Sequence, residues 1–212
     1  MDFERLLDLI GDEPLFETGL LLAGRVNPAA IRLQLGRWVK SGRIIQLRRG
    51  LYAIAPPYQK IAPHPFHIAN RLQRGSYISL QSALAFHGLI PEGVHQTLSV
   101  TSGRPGQFST PLGIFVYRHI KPDLLQGYRM IDLDGQQAWA ATPEKALLDL
   151  VYLQTGADSE AYLNELRLQN LDQLDVDLLA SYRQVFGSPK MNRAIDLVLK
   201  MRMEQSRDYE TL

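Results

Sequence analysis

Arg32, Arg37 and Lys40 recur at helical spacing, and Arg43, Arg48 and Arg49 follow within the next nine residues. Guanidinium and ammonium groups at this density suit pairing with phosphate oxygens, and arginine can also take a guanine edge with two hydrogen bonds. Asn27 stands just ahead of them, where a helix N-terminus presents amides that suit a phosphate or a base edge. These seven residues, Asn27, Arg32, Arg37, Lys40, Arg43, Arg48 and Arg49, are the candidate contacts to double-stranded DNA.

Other chemistries find less support. The chain has no cysteine, which excludes disulfides, thiolate nucleophiles and thiolate-bound metals. His64 and His67 have a spacing that some zinc sites use, but Pro65 lies between them and no cysteine assists, so no metal or other cofactor is expected. A nuclease would need converging carboxylates with a lysine. Asp132 and Asp134 are candidates, yet the neighbouring segment reads Gln136-Gln137-Ala138-Trp139 and supplies no acid-x-Lys pair. Asp134-Gly135 reads better as a turn, Glu144 as an acid favouring a helix N-terminus, and Asp149 as an exposed or capping acid. Neither a glycine-rich phosphate loop nor a nucleophile elbow occurs, so the expectation is a protein that is not an enzyme. Ser102-Gly103-Arg104-Pro105-Gly106 is a basic loop that either touches phosphate or merely connects.

The elements that must position the cations are legible around them. Asn27 can cap a helix that Pro28 opens, and Ser41-Gly42 closes it. At 100° per residue Ile31, Leu35, Trp38 and Val39 face inward, with Gln34 at the edge; Ala29, Ala30, Gly36, Arg37 and Lys40 face outward, with Arg32 on the flank. Leu33 also points outward, to meet a thymine methyl or to pack against the rest of the chain. A hairpin follows directly: Arg43 to Arg48, a turn at Arg49-Gly50, and Leu51 to Ile54. Upstream, residues 2–10 form an amphipathic helix on Phe3, Leu6, Leu7 and Ile10, residues 15–23 read as a second helix, and Gly24-Arg25-Val26 is a turn. Helix, helix, turn, basic helix and hairpin is the order of a winged helix-turn-helix, whose third helix enters the major groove while the wing meets the backbone.

Charge distribution strengthens that reading. The net charge is only +1, but between Glu17 and Glu92 there are ten cations and no acid. Such local asymmetry suits a polyanion. Arg71 and Arg74 belong to the same block, and either extend the basic patch or decorate a helix face.

Prolines at 56, 57, 63 and 65 mark a linker, placed at 57–65 between a winged-helix domain (1–56) and a second domain (66–212). In the second domain a helix is expected from Phe66 to Gln73 and another capped by Ser79 and ended by Gly88. Strands are expected at 96–101, 113–120, 128–133 and 136–141, the last two joined by Asp134-Gly135. Thr142 caps an apolar helix opened by Pro143. Residues 158–206 read as helices interrupted near Asn170 and at Gly187, with a restart at Ser188-Pro189; their leucines serve the core or a partner face. The fold class expected is α+β: the winged helix, then a small, mostly antiparallel sheet with helices before and after it. No apolar run approaches the ~20 residues that span a bilayer, and Met1-Asp2-Phe3-Glu4 is unlike a signal peptide. A cytoplasmic protein without a membrane partner is the expectation.

RRGLYAI at the end of the hairpin, YISLQSALAFHGLIPE, TLSVTSGRPG, GIFVYRHIK and WAATPEKALLDLVYL together resemble the AbiEi family of antitoxins and transcriptional regulators of bacterial abortive-infection systems. The resemblance covers roughly residues 1–155. It implies an autoregulator that binds repeats in its own promoter; whether as a monomer or dimer is left open by the residues. It also implies a second domain that counteracts a co-encoded nucleotidyltransferase toxin, the type IV arrangement in which no stable complex is required. The alternative is a winged-helix regulator whose second domain senses a ligand or a protein partner.

Overall fold

A computed structural model describes residues 1–23, 26–91, 93 and 95–210, with side chains of the last helix described to 205. The expected Gly24-Arg25 turn and Glu92 of the second motif lie outside the described residues.

The N-terminal part runs α1 (Phe3–Ile10), β1 (Leu15–Glu17), α2 (Thr18–Leu21), α3 (Pro28–Lys40), β2 (Ile44–Arg48) and β3 (Leu51–Ile54). The expected Asn27 cap forms, its Oδ1 accepting from Ala29 and Ala30 at 2.9 and 3.3 Å, and Asp2 Oδ1 caps α1 by accepting from the Arg5 amide at 2.9 Å. The single helix expected over residues 15–23 is corrected. Leu15, Phe16 and Glu17 instead pair antiparallel with Ala53, Tyr52 and Leu51, and only Thr18–Leu21 is helical. Pairing satisfies the open edge of β3, a demand that local periodicity does not register. The sheet order is β1-β3-β2, with an irregularity between Gln46 and Arg48.

This sheet has two apolar faces. Phe16, Ile44, Tyr52 and Ile54 pack with Phe3, Leu6, Ile10, Ile31, Leu35 and Trp38 from α1 and α3. Leu15, Leu47, Leu51 and Ala53 face the other way and join the main core of the molecule. The orientation of the two parts is therefore fixed by shared apolar packing as well as by the proline-rich segment between them. That segment is itself pinned, with Lys60 paired to Asp12 at 3.0 Å and Gln136 bonded to both Ala62 and His64.

The second part runs α4 (Pro65–Leu72), β4 (Ser76–Ile78), α5 (Leu80–Phe86), β5 (Gln96–Thr101), β6 (Gly106–Thr110), β7 (Gly113–His119), β8 (Tyr128–Leu133), β9 (Gln136–Ala141), α6 (Pro143–Leu153), α7 (Glu160–Glu165), α8 (Val176–Phe186) and α9 (Pro189–Glu210). Among the described residues its sheet has six strands in the order β6-β7-β5-β4-β9-β8. The expectation of a mostly antiparallel sheet gives way to a mixed one, because β5 pairs with β7, and β4 with β9, in parallel. The class is α+β. Strands β4 and β6 have no counterpart in the sequence reading; both are short, and neither carries a clear period of two. The β8–β9 hairpin forms as expected, with Asp134 and Gly135 both at positive φ (52° and 85°) as a tight two-residue turn requires.

Four histidines are tied into the fold by their rings. His64 caps α4, accepting from Phe66 at 3.1 Å; His67 donates to the Gln137 carbonyl at 2.8 Å, and His119 donates to that of Gly103 at 3.0 Å. His87 ends α5 and donates Nε2–H to the Ala141 carbonyl at 2.9 Å. Burial holds the pKa of His87 below the usual 6.5, although its bond to Ala141 opposes that shift. A base with a depressed pKa binds fewer protons folded than unfolded, so its stabilising contribution is present above the ordinary imidazole pKa and is lost as pH falls. Melting temperature should accordingly drop between pH 7 and about pH 5.5, and His87→Gln, which keeps a donor for Ala141, should flatten that drop. An unchanged slope in the variant would remove His87 from this account.

Candidate nucleic-acid interface

Helix α3 turns Ile31, Leu35 and Trp38 into the N-terminal core and leaves Arg32, Leu33, Gly36, Arg37 and Lys40 exposed. Ala29 and Ala30 share the exposed stripe, and a side chain added at Gly36 would meet only open space. The result is a helix face with cations at its margins and small residues between them, so a surface as concave as a DNA groove can approach the backbone closely. Leu33 is 59% exposed, which excludes packing against the linker or second part.

The remaining candidates divide. Arg49 is exposed at the hairpin turn. Arg43 is exposed but its guanidinium carbon lies 5.2 Å from the centre of the Phe3 ring, a stacking that ties it to α1. Arg48 is half-buried and turned toward the second part, where Nη2 donates to the Arg71 carbonyl at 3.4 Å. Asn27 spends its side-chain oxygen on the α3 cap. Among the described residues, no carboxylate lies within ion-pair distance of Arg32, Arg37, Lys40, Arg43, Arg48 or Arg49.

The acid that does enter the block is Glu17. Arg74 Nη2 lies 2.8 and 2.9 Å from its two oxygens, and Arg71 Nη2 lies at 3.4 Å. Its carboxyl is held below the usual range, first by the Arg74 hydrogen bond, with burial opposing. Arg71 and Arg74 thus do more than decorate a helix face. Their partner lies more than fifty residues away, a pairing that no local pattern announces.

A second polar constellation lies under the sheet. Asp149 on α6 accepts from Tyr77 Oη at 2.9 Å and from Ser79 Oγ at 2.8 Å, and is bonded to Lys145 one turn earlier on the same helix. Lys145 Nζ also donates to Tyr77 Oη at 2.9 Å and sits 5.5 Å from the ring centres of both Tyr77 and Phe186. Lys145 and Asp149 have no exposed side-chain surface. Two expectations are corrected here. Asp149 is neither exposed nor a cap, and Ser79 occupies the cap position of α5 but gives its hydroxyl to Asp149. Desolvation drives the Lys145 pKa down and the Asp149 pKa up, and their mutual attraction opposes both shifts. Glu144 is also buried, and accepts from the Asp175 amide at 2.9 Å. Sealed from solvent, the network offers no reacting atom to a substrate; it joins β4 to α6.

Among the described residues, no group of three or more histidines and carboxylates is arranged to hold a metal ion. None of the described helices is long and apolar enough to cross a membrane.

No family model and no curated protein matches the chain. Among solved structures it is similar to the crystal structure of the RV2827C protein from Mycobacterium tuberculosis, with a TM-score of 0.54 and 15% identity over 92% of this chain and 76% of that one. A likeness at that identity shows a shared α+β fold and carries no activity with it.

Proposed function

We propose that the chain is a DNA-binding transcriptional regulator of the AbiEi type: an N-terminal winged helix that represses its own promoter, joined to a second part that opposes a nucleotidyltransferase toxin in the cytoplasm. The observation that carries the DNA half is the exposed face of α3, where Arg32, Arg37 and Lys40 have no carboxylate partner among the described residues and stand beside a hairpin tipped by Arg49. A helix positioned for the major groove, with a short basic hairpin beside it, can read bases with the first and hold backbone with the second. Binding to repeats upstream of its own gene, sensitive to salt and preferring that DNA over a scrambled duplex, is the expected result.

The antitoxin half rests on the resemblance in the Tyr77 and Thr142–Asp149 segments. Both segments feed the buried network, so residues that contact or silence a toxin are to be sought outside them. Co-expression with a nucleotidyltransferase encoded beside this gene should restore growth; continued growth arrest would leave only the regulator.

A ligand-sensing regulator is the second reading. What favours it is a surface groove of about 570 Å³ lined by Gln81, Ile90, Leu98, Tyr162 and Leu166 among others, a volume that suits a small molecule. Failure to restore growth, together with promoter binding that small metabolites shift, would favour this reading.

A further inference from the structure

The parallel register of β5 and β7 sets Leu98 beside Val116 and Val100 beside Arg118, so these four side chains share one face of the sheet. Leu98 and Val116 are only half-buried there. They line a narrow groove of about 190 Å³ whose other walls include Leu80 of α5 and Leu150 and Leu153 of α6. Through Gln81 and Leu98 this groove runs on into the wider one of about 570 Å³ that Ile90, Tyr162 and Leu166 line. The two make one trough with aliphatic walls and a different charge in each half. Arg118 stands exposed in the narrow half beside Gln154, and Glu165 stands exposed in the wide half beside His95. Among the described residues neither the Arg118 guanidinium nor the side-chain amides of Gln81 and Gln154 have a partner. Leu80, in the wall, holds φ at 56°, a left-handed conformation that a bulky side chain rarely takes outside sites where the surrounding structure imposes it. A guanidinium with every donor free takes a carboxylate with two parallel hydrogen bonds, and half-buried aliphatic walls beside it favour an apolar body.

We infer that this trough binds an amphipathic monocarboxylate, with the carboxylate on Arg118 and an aliphatic body lying along Leu98, Val116 and Leu153 toward Tyr162. Gln81 and Gln154 supply amide donors to carboxylate oxygens that Arg118 leaves free. Glu165 sets the specificity at the far end, because a second carboxylate there would meet a like charge. The inference deepens the ligand-sensing reading of the same groove, by naming the class of ligand, and does not depend on DNA binding.

The test is isothermal titration calorimetry of the full chain with octanoate, octylamine, 1-octanol and octanedioate. Octanoate should bind saturably at one site, and the amine, the alcohol and the dicarboxylate should each bind at least about tenfold more weakly. Arg118→Ala should cost octanoate a similar factor, whereas Arg129→Ala, the loss of an exposed arginine on β8 outside the trough, should cost nothing. Both arginines are exposed, so the fold should tolerate either change. Glu165→Gln should raise the affinity for octanedioate and leave that for octanoate unchanged. Octanoate and octylamine binding alike, Arg118→Ala binding octanoate like the parent, or no saturable octanoate binding in the millimolar range would overturn the inference. Octanoate binding through Arg118 with no change in affinity for upstream DNA would establish the site and remove only its role as a sensor.

Discussion

Replacing Asp149 with alanine is expected to be the most damaging single change in the second part of the chain, lowering stability by about 3–5 kcal/mol. The carboxylate is fully buried and accepts from Tyr77, Ser79 and Lys145. Its removal leaves a buried ammonium that keeps the Tyr77 hydroxyl as its hydrogen-bond partner, together with a buried serine hydroxyl that has lost its acceptor. For a chain of this size the loss corresponds to a fall in melting temperature of roughly 6–20 °C. The pH dependence should identify the cause. Burial already holds the Lys145 pKa below 10.5, and loss of its counter-ion lowers it further. A lysine with a depressed pKa binds fewer protons folded than unfolded, so the variant should regain stability as pH rises from 7 toward about 9. Asp149→Ala melting like the parent at pH 7, or failing to recover at higher pH, would mean that the ion pair is not what holds β4 to α6.

The second large effect concerns function. Joint replacement of Arg32, Arg37 and Lys40 with alanine should weaken binding to upstream DNA by roughly 100- to 1,000-fold at ~0.1 M salt, each lost contact being worth about 1–1.4 kcal/mol. All three side chains are exposed and none has a carboxylate partner among the described residues, so the fold should tolerate their loss. Among single changes, Arg37→Ala should relax sequence preference, whereas Arg49→Ala should weaken binding to every sequence alike. Arg48→Ala differs from both, because its guanidinium reaches the Arg71 carbonyl and its loss disturbs the seam between the two parts. A triple variant that binds like the parent would remove α3 from the interface.

What the sequence disclosed and what it hid follow one physical division. Helix α3 was legible from end to end because each of its signals is local: an asparagine cap, a proline at the first position, an apolar stripe and a glycine after the last turn. The same holds for the β8–β9 hairpin around Asp134-Gly135 and for the Thr142 cap of α6, whose Oγ1 accepts from the Lys145 amide at 3.3 Å. Strand β1 was not legible, because three residues are too few for a period of two and the element exists to pair with β3. Glu17 offered the one remote hint, as the last acid before ten cations, yet its arginines arrive from beyond the linker. Asp149 reads locally as a lone charge on an apolar helix. Its burial becomes intelligible only when Tyr77 and Ser79, about seventy residues earlier, are brought against it. The motifs that carry the family resemblance in this part are therefore the ones that build its core, while the exposed cation stripe carries the functional reading.

The measurement closest to the central claim is anisotropy of the full-length protein against duplex DNA from upstream of its own gene, with a scrambled duplex of equal length, across a salt series. The account predicts tight binding that prefers the upstream sequence and weakens steeply as salt rises, with both properties much reduced in the Arg32, Arg37 and Lys40 variant. Equal binding to both duplexes that does not respond to salt, or no binding at low salt, would contradict it.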